Sequence, residues 1–232
     1  MITCPNCNSE NSDLAVICAS CGGFVQARVP TLDLFSTVWQ VIESPKRAMR
    51  RIVLALHKNY ALLLSSLYGI GLAFFSMWLF NLGERFENLL YLIFAGFLLG
   101  PALGITHLLL TASVGVLVSR FFRIRMHFAN VLGVAAYATV PVILSVVFLL
   151  PIELMTFGLF MFAENPSPFV IKPFPYLVFM ILDGLTVLWS IGLLMIGIRT
   201  IGNLKILRAV FIVIIILSVS LFVLFELLRW IV

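Results

Sequence analysis

Four cysteines carry the clearest chemical signal in the chain. Cys4 and Cys7 form one C-x2-C pair and Cys18 and Cys21 a second, and the 232 residues contain no other cysteine. A C-x2-C pair makes a tight turn whose two sulfurs converge on one point, and two such turns complete a tetrahedral thiolate site suited to Zn2+. With four protein sulfurs the coordination sphere is closed, so no position remains for a catalytic water. The chemistry expected is a structural zinc site. Gly22, directly after the second pair, suits a knuckle that needs positive φ. Four cysteines could also pair as two disulfides, but the spacing and the cytoplasmic placement argued below favour reduced thiols. A segment of about twenty residues cannot build its own hydrophobic core, so residues 1–25 are expected to fold around metal.

Beyond that knot the composition is that of an integral membrane protein. Hydrophobic residues make up 62% and charged residues 11% of the chain, against about 25% charged in soluble domains. Mean hydropathy is +1.14. The net charge of +5 is gathered in short clusters beside apolar runs, where topology signals belong, and no nucleic-acid partner is expected. The polar first thirty residues lack a basic start followed by an apolar core, so no cleavable signal peptide is expected.

Residues 26–57 read as a linker followed by amphipathic helix. Leu34, Phe35, Val38, Trp39 and Ile42 recur at helical spacing, with Asp33 or Thr31 as a cap. Ser44 and Pro45 suggest a second helix, Ser44 capping it and Pro45 at its first position. That piece sets Lys46, Arg47, Arg50 and Arg51 against Met49, Ile52, Val53 and Leu56. It fits an interfacial helix on anionic headgroups, and equally a helix packed on the end of a bundle.

The elements that must carry these pieces are membrane spans. Apolar segments over about 59–80, 89–118, 130–151, 174–198 and 209–231 predict an all-α, five-helix transmembrane bundle over residues 58–232. The second is longer than the roughly 20 residues that cross a bilayer and contains Gly100-Pro101, so it reads as one tilted or kinked helix. Residues 152–163 form a further short apolar stretch before the loop Glu164-Asn165-Pro166-Ser167-Pro168. Arg120, Arg123 and Arg125 follow the second span; Arg199, Lys205 and Arg208 separate the fourth and fifth. The other loops carry Arg85 with Glu84 and Glu87, and Lys172 with Glu153 and Glu164. With the basic run before span one, five spans place the N-terminus and both Arg-rich loops in the cytoplasm, and the acidic loops and C-terminus on the other side. A re-entrant second segment would give six spans and put one Arg-rich loop outside.

Two polar residues stand out inside spans, His107 and Asp183. A buried charge in a bilayer is costly unless paired or neutralised. His107 lies thirteen residues before Arg120, roughly 20 Å along a helix, and Asp183 sixteen before Arg199, roughly 24 Å. These depths allow a direct contact, or separate partners such as Tyr137, Thr106 or Thr186. Gly96, Gly100 and Gly104, four apart, permit close helix contact within the chain or between copies in a homo-oligomer. No H-E-x-x-H, G-x-S-x-G, Walker or dinucleotide-binding context occurs, so an enzyme is not expected.

Residues 4–25, CPNCNSENSDLAVICASCGGFV, resemble the short zinc ribbons of many prokaryotic membrane proteins, with Asn8 in place of the usual Gly. The segment FSTVWQVIESPKRAMRRI, the stretch RIRMHFANVLGVAAYATVP with Ala135, Ala136, Tyr137 and Pro141, and LWSIGLLMIGIRTIGNLKILRAV together resemble the YIP family. That family comprises multi-pass proteins named for interacting with Ypt/Rab GTPases. The resemblance spans about residues 35–230 and implies a fold and a membrane location, here a prokaryotic inner or plasma membrane. The function expected is that of a non-enzymatic membrane protein whose cytoplasmic ribbon docks another protein. A small channel or transporter using Asp183 and His107, and a metal or redox sensor using the thiols, are the alternatives.

Overall fold

A computed structural model describes residues 1–26 and 30–231 of the chain, the last two of these by main chain only. The ribbon comprises two tiny antiparallel strands, β1 (Ile2–Thr3) and β2 (Glu10–Asn11), with Ile2 opposite Asn11. Nine helices follow among the described residues: α1 (Leu34–Glu43), α2 (Pro45–Leu54), α3 (Ala61–Leu79), α4 (Leu89–Phe121), α5 (Phe128–Ala138), α6 (Val140–Phe157), α7 (Pro168–Ile171), α8 (Pro173–Gly202) and α9 (Ile206–Ile231). Five spans are long and apolar enough to cross a membrane: α3, α4, α5 with α6 and the 3₁₀ turn after it, α8, and α9. Their up-and-down order puts the α4–α5 and α8–α9 loops at the same end as the ribbon, α1 and α2.

Local chemistry explains the breaks. Asp33 caps α1 by accepting from the Ser36 N–H at 2.8 Å. Pro45 opens α2, as its fixed φ favours, yet the Ser44 side chain makes no capping bond. The α5–α6 joint falls at Thr139, whose hydroxyl turns back to the Ala136 carbonyl at 2.7 Å. Pro141 two residues on cannot donate to the preceding turn, which is why the helix of the third span is interrupted there. Pro101, in contrast, lies within one continuous α4 of 33 residues, so the second apolar segment is a single helix and not a re-entrant hairpin.

Packing is tightest between α3 and α4. A Cβ on Gly69 would come within 2.0 Å of the Gly100 carbonyl oxygen, and one on Gly104 within 2.0 Å of the Ser65 carbonyl oxygen. A Cβ on Gly96 would meet the Phe74 ring at 2.7 Å. The glycine stripe of α4 is thus occupied by α3 of the same chain.

Two apolar cores result. The one at the ribbon end joins Met49 and Ile52 of α2 to Leu108 and Ala112 of α4, Val131 and Val134 of α5, Leu193 and Ile198 of α8, and Ile212 and Ile216 of α9. The other, at the far end, gathers Ile70, Phe74, Met77, Leu92, Phe157, Met161 and Phe162. Outside them the spans present leucine, isoleucine and phenylalanine outward, as helices facing lipid must.

Candidate metal centre and the ribbon end of the bundle

Each C-x2-C pair sits at the tip of a miniature hairpin. In the first, the Asn8 N–H donates to the Cys4 carbonyl at 3.0 Å and the Cys4 N–H to the Ser9 carbonyl at 3.0 Å. In the second, the Gly22 N–H donates to the Cys18 carbonyl at 3.1 Å and the Cys18 N–H to the Gly23 carbonyl at 2.8 Å. Asn8 and Gly22 occupy equivalent positions, with φ of +54° and +71°. Asparagine is among the few residues that enter this left-handed region readily, which accounts for its standing where glycine is usual. Ile17 bridges Phe24 across the second hairpin.

The two tips face one another. All four Sγ atoms lie within 4.8 Å of each other, with Cys4 and Cys21 3.6 Å apart and Cys7 and Cys18 3.6 Å apart. These contacts are well beyond the roughly 2.05 Å of a disulfide, and all four cysteines are free. They approach the spacing of roughly 3.8 Å that tetrahedral Zn–S bonds of about 2.3 Å require.

The electrostatics of the thiols also fit a cation. Bonds from the Ser9 hydroxyl (3.0 Å), the Ser20 N–H and the Asn11 amide favour the Cys18 thiolate and hold it down to about 5. Cys21 receives a favourable bond from the Gly23 N–H, yet the crowding of Cys7 and Cys4 pushes it up to about 12. Four sulfurs this close cannot all ionise without a positive charge among them. One divalent cation bound by all four would supply that charge and fix both hairpins at once.

The ribbon rests on the bundle. Leu14 packs against the ribbon-end core, and the Arg50 guanidinium donates to Gln26 Oε1 at 3.0 Å. Helix α2 is a packed element: Ala48, Met49, Ile52 and Val53 are all buried. A Cβ on Gly197 of α8 would strike Val134 of α5 at 2.0 Å and reach the Met49 sulfur at 3.3 Å. Three helices therefore converge on one small residue. The aromatic residues left outward nearby are Phe35 and Trp39 of α1, 83% and 67% exposed.

Lys58 closes the end of α2. Its Nζ donates to the carbonyls of Val53 at 3.0 Å and Ala55 at 2.7 Å, and also to that of Ile52. A cation here satisfies carbonyls that the helix leaves unpaired and complements its dipole. The fully buried Tyr137 donates to the Asn59 carbonyl at 3.0 Å, pinning the next residue to α5. Sequence singles out Tyr137 but not Lys58; a lysine three residues before an apolar run looks like a surface anchor.

The cations of the α4–α5 and α8–α9 loops stay on the surface. Arg120 ends α4, and Arg123 (φ +57°) and Arg125 follow in its loop, Arg120 and Arg123 exposed and Arg125 likewise. Lys205 and Arg208 are exposed at the start of α9, and the Arg199 Nε–H donates to the Leu204 carbonyl at 3.2 Å.

His107 and Asp183 have different partners. His107, buried on α4, bonds through Nδ1 to the Tyr68 hydroxyl at 3.2 Å, and its Nε2 is buried without a partner among the described residues. Asp183, on α8, accepts a short hydrogen bond from Ser145 of α6 and faces the carboxyl of Glu153. Thr186 bonds only the Asp183 main-chain carbonyl, at 2.9 Å. Glu153 departs from the sequence expectation. The charge pattern places it in an outer loop, but α6 continues through Pro151 to Phe157 and leaves Glu153 only 4% exposed.

The family model of the Yip1 domain matches residues 39–228 of the chain. No curated protein and no solved structure matches it.

Proposed function

Because the chain belongs to the Yip1 domain family, we propose that it is a non-enzymatic, multi-pass membrane protein whose ribbon is a zinc-dependent, cytoplasmic docking module for another protein. Its work would lie in membrane organisation or trafficking. One observation carries the docking role. Ile17 and Phe24, bridged side by side on the second hairpin, are 57% and 77% exposed. A domain too small for a core normally spends its few apolar side chains inward; a pair held outward is the kind of anchor that interfaces bury.

The cytoplasmic orientation is supported by charge. The loops at 120–125 and 199–208 and the basic face of α2 share the ribbon end, as the positive-inside rule requires of a cytoplasmic side. Reduced thiols agree with that compartment. The loops at the far end carry Glu84, Glu87 and Glu164.

The alternative channel reading sets His107 and Asp183 on one pathway; here each has its own partner, Tyr68 for His107 and Ser145 for Asp183. The docking role is tested by purifying tagged protein from native membranes in mild detergent. Wild type, Phe24→Ser and a Cys4→Ser/Cys18→Ser double variant would be compared. A protein that co-purifies with wild type and is lost with both variants supports docking through the ribbon. Identical, partner-free preparations of all three would overturn it.

A further inference from the structure

Between the ribbon, α2 and the end of α8 lies an open cleft of about 370 Å³. Lys46, Arg47 and Arg50 line one side, Arg199 the facing side, and Ser12, Asp13 and Leu14 of the ribbon form the third wall. Among the described residues, no carboxylate forms an ion pair with any of these four cations. The one acid in the cleft, Asp13, is held chiefly by the amino group of Met1 at 2.6 Å, with a weaker attraction to Arg50. None of the four thiols lines it, so the cations do not serve the metal centre directly.

Three of these charges crowd one helix. Lys46 and Arg47 occupy the first turn of α2, where the helix dipole already presents positive charge, and no acid stands in that turn. Lys46 and Arg50, four apart on one helix, repel. Arg50 and Arg199 keep hydrogen bonds to Gln26 and Leu204, which hold their guanidinium groups at the cleft. Cations without an ion pair, gathered from the first half of α2 and the last turn of α8, form a receptor for an anion that arginine can grip with two N–H groups. The cleft lies where the apolar part of α8 ends, the level at which headgroups meet a membrane protein.

We infer that this cleft binds a phosphate group, gripped by Arg47, Arg50 and Arg199 with Lys46 adding charge. The group comes either from an anionic lipid headgroup or from a free phosphate compound. Because the ribbon supplies one wall, an occupied cleft fastens the ribbon to the bundle. The site stands independently of what the ribbon docks.

The test uses the full chain with its metal. One arm places it in phosphatidylcholine nanodiscs with and without phosphatidic acid and counts retained lipid by native mass spectrometry. The other titrates delipidated protein in detergent with inorganic pyrophosphate by calorimetry. A cleft variant (Arg47→Gln/Arg50→Gln/Arg199→Gln) is compared with a control of equal charge loss at the same membrane end (Arg120→Gln/Arg123→Gln/Arg125→Gln). The expected result is a loss of about tenfold or more in affinity for one probe in the cleft variant, with the control near wild type. Loss of phosphatidic acid alone identifies a lipid headgroup; loss of pyrophosphate alone identifies a free phosphate compound. Equal losses in both variants would reduce the effect to surface charge and overturn the site, as would undiminished binding by the cleft variant or no binding by wild type. Should the triple variant fail to accumulate, exposed Arg199 permits the single Arg199→Gln, expected to weaken the same probe about threefold or more; unchanged affinity there overturns the site.

Discussion

The carboxyl groups of Glu153 on α6 and Asp183 on α8 face each other inside the bundle, with Ser145 of α6 also donating to Asp183. The Ser145–Asp183 bond, with buried Glu153 beside it, is a polar clasp between two otherwise apolar helices. Glu153→Gln offers Asp183 an amide donor and is expected to leave thermal stability in detergent within about 1 kcal/mol of wild type. Glu153→Leu removes the partner and is expected to cost about 1 to 2 kcal/mol. Equal effects of the two substitutions would show that packing volume, not the hydrogen bond, is what matters at 153.

Metal removal should separate the two parts of the chain. One zinc ion per chain is expected by elemental analysis. Stripping it with a strong chelator, or making Cys4→Ser/Cys18→Ser, should expose residues 1–26 to protease while the spans keep their helical circular dichroism. Acidification should release the metal as well, since protons compete with it for the thiolates. A ribbon equally protease-resistant with and without metal would contradict this.

The α3–α4 seam should tolerate no side chain. Gly69→Val or Gly104→Val would drive carbon into backbone within 2.0 Å, and a loss of more than about 3 kcal/mol, or failure to accumulate, is expected. A Cβ placed on Gly184 or Gly192 of α8 would meet nothing within 4 Å; alanine at either should change the melting temperature little. Comparable damage at all four sites would refute the seam.

At the α2–α3 joint, Tyr137→Phe deletes one buried hydrogen bond and is expected to cost about 1 kcal/mol. Lys58→Met removes the donor from the Val53 and Ala55 carbonyls and leaves Ile52 only the Ala55 N–H, and should cost about 2 kcal/mol or more. Because both act on adjacent residues, the double variant should lose less than the sum of the two. Strict additivity in denaturation midpoints would show that Lys58 and Tyr137 hold the joint independently.

Several of these features are legible in the sequence, because they depend on local spacing. The C-x2-C pairs need only their own intervals, and the five spans need only run length and flanking charge. What stays hidden depends on direction around a helix and on neighbour order. Depth along the helix axis makes His107 and Asp183 equal, but α4 packs against α3, α5 and α9 while α8 packs against α2, α5, α6 and α9. Tyr68 and Ser145, ordinary span residues by composition, are therefore the true partners. Glu153 escapes a sequence reading for a different reason. Proline ordinarily ends a helix, whereas within a bilayer Pro151 is carried through because neighbouring groups can satisfy the freed carbonyl. For α2 the amphipathic pattern matches a membrane surface and a protein surface alike; its apolar face is buried on the bundle, with Met49 reaching Gly197 of α8, while Lys46 and Arg47 stay exposed.

The contact of Gly69 with Gly100 and Gly104 is made of main chain alone. A seam without side chains has no rotamers to exchange and no volume that water or an ion could enter. Sliding α3 along α4 by even one residue would bring Tyr68, Ile70 or Leu99 into a space that admits only hydrogen. The two helices thus share a single register and behave as one beam. Any rearrangement of the bundle must leave this beam intact, and whatever the protein transmits across the membrane cannot pass down the line between its first two spans.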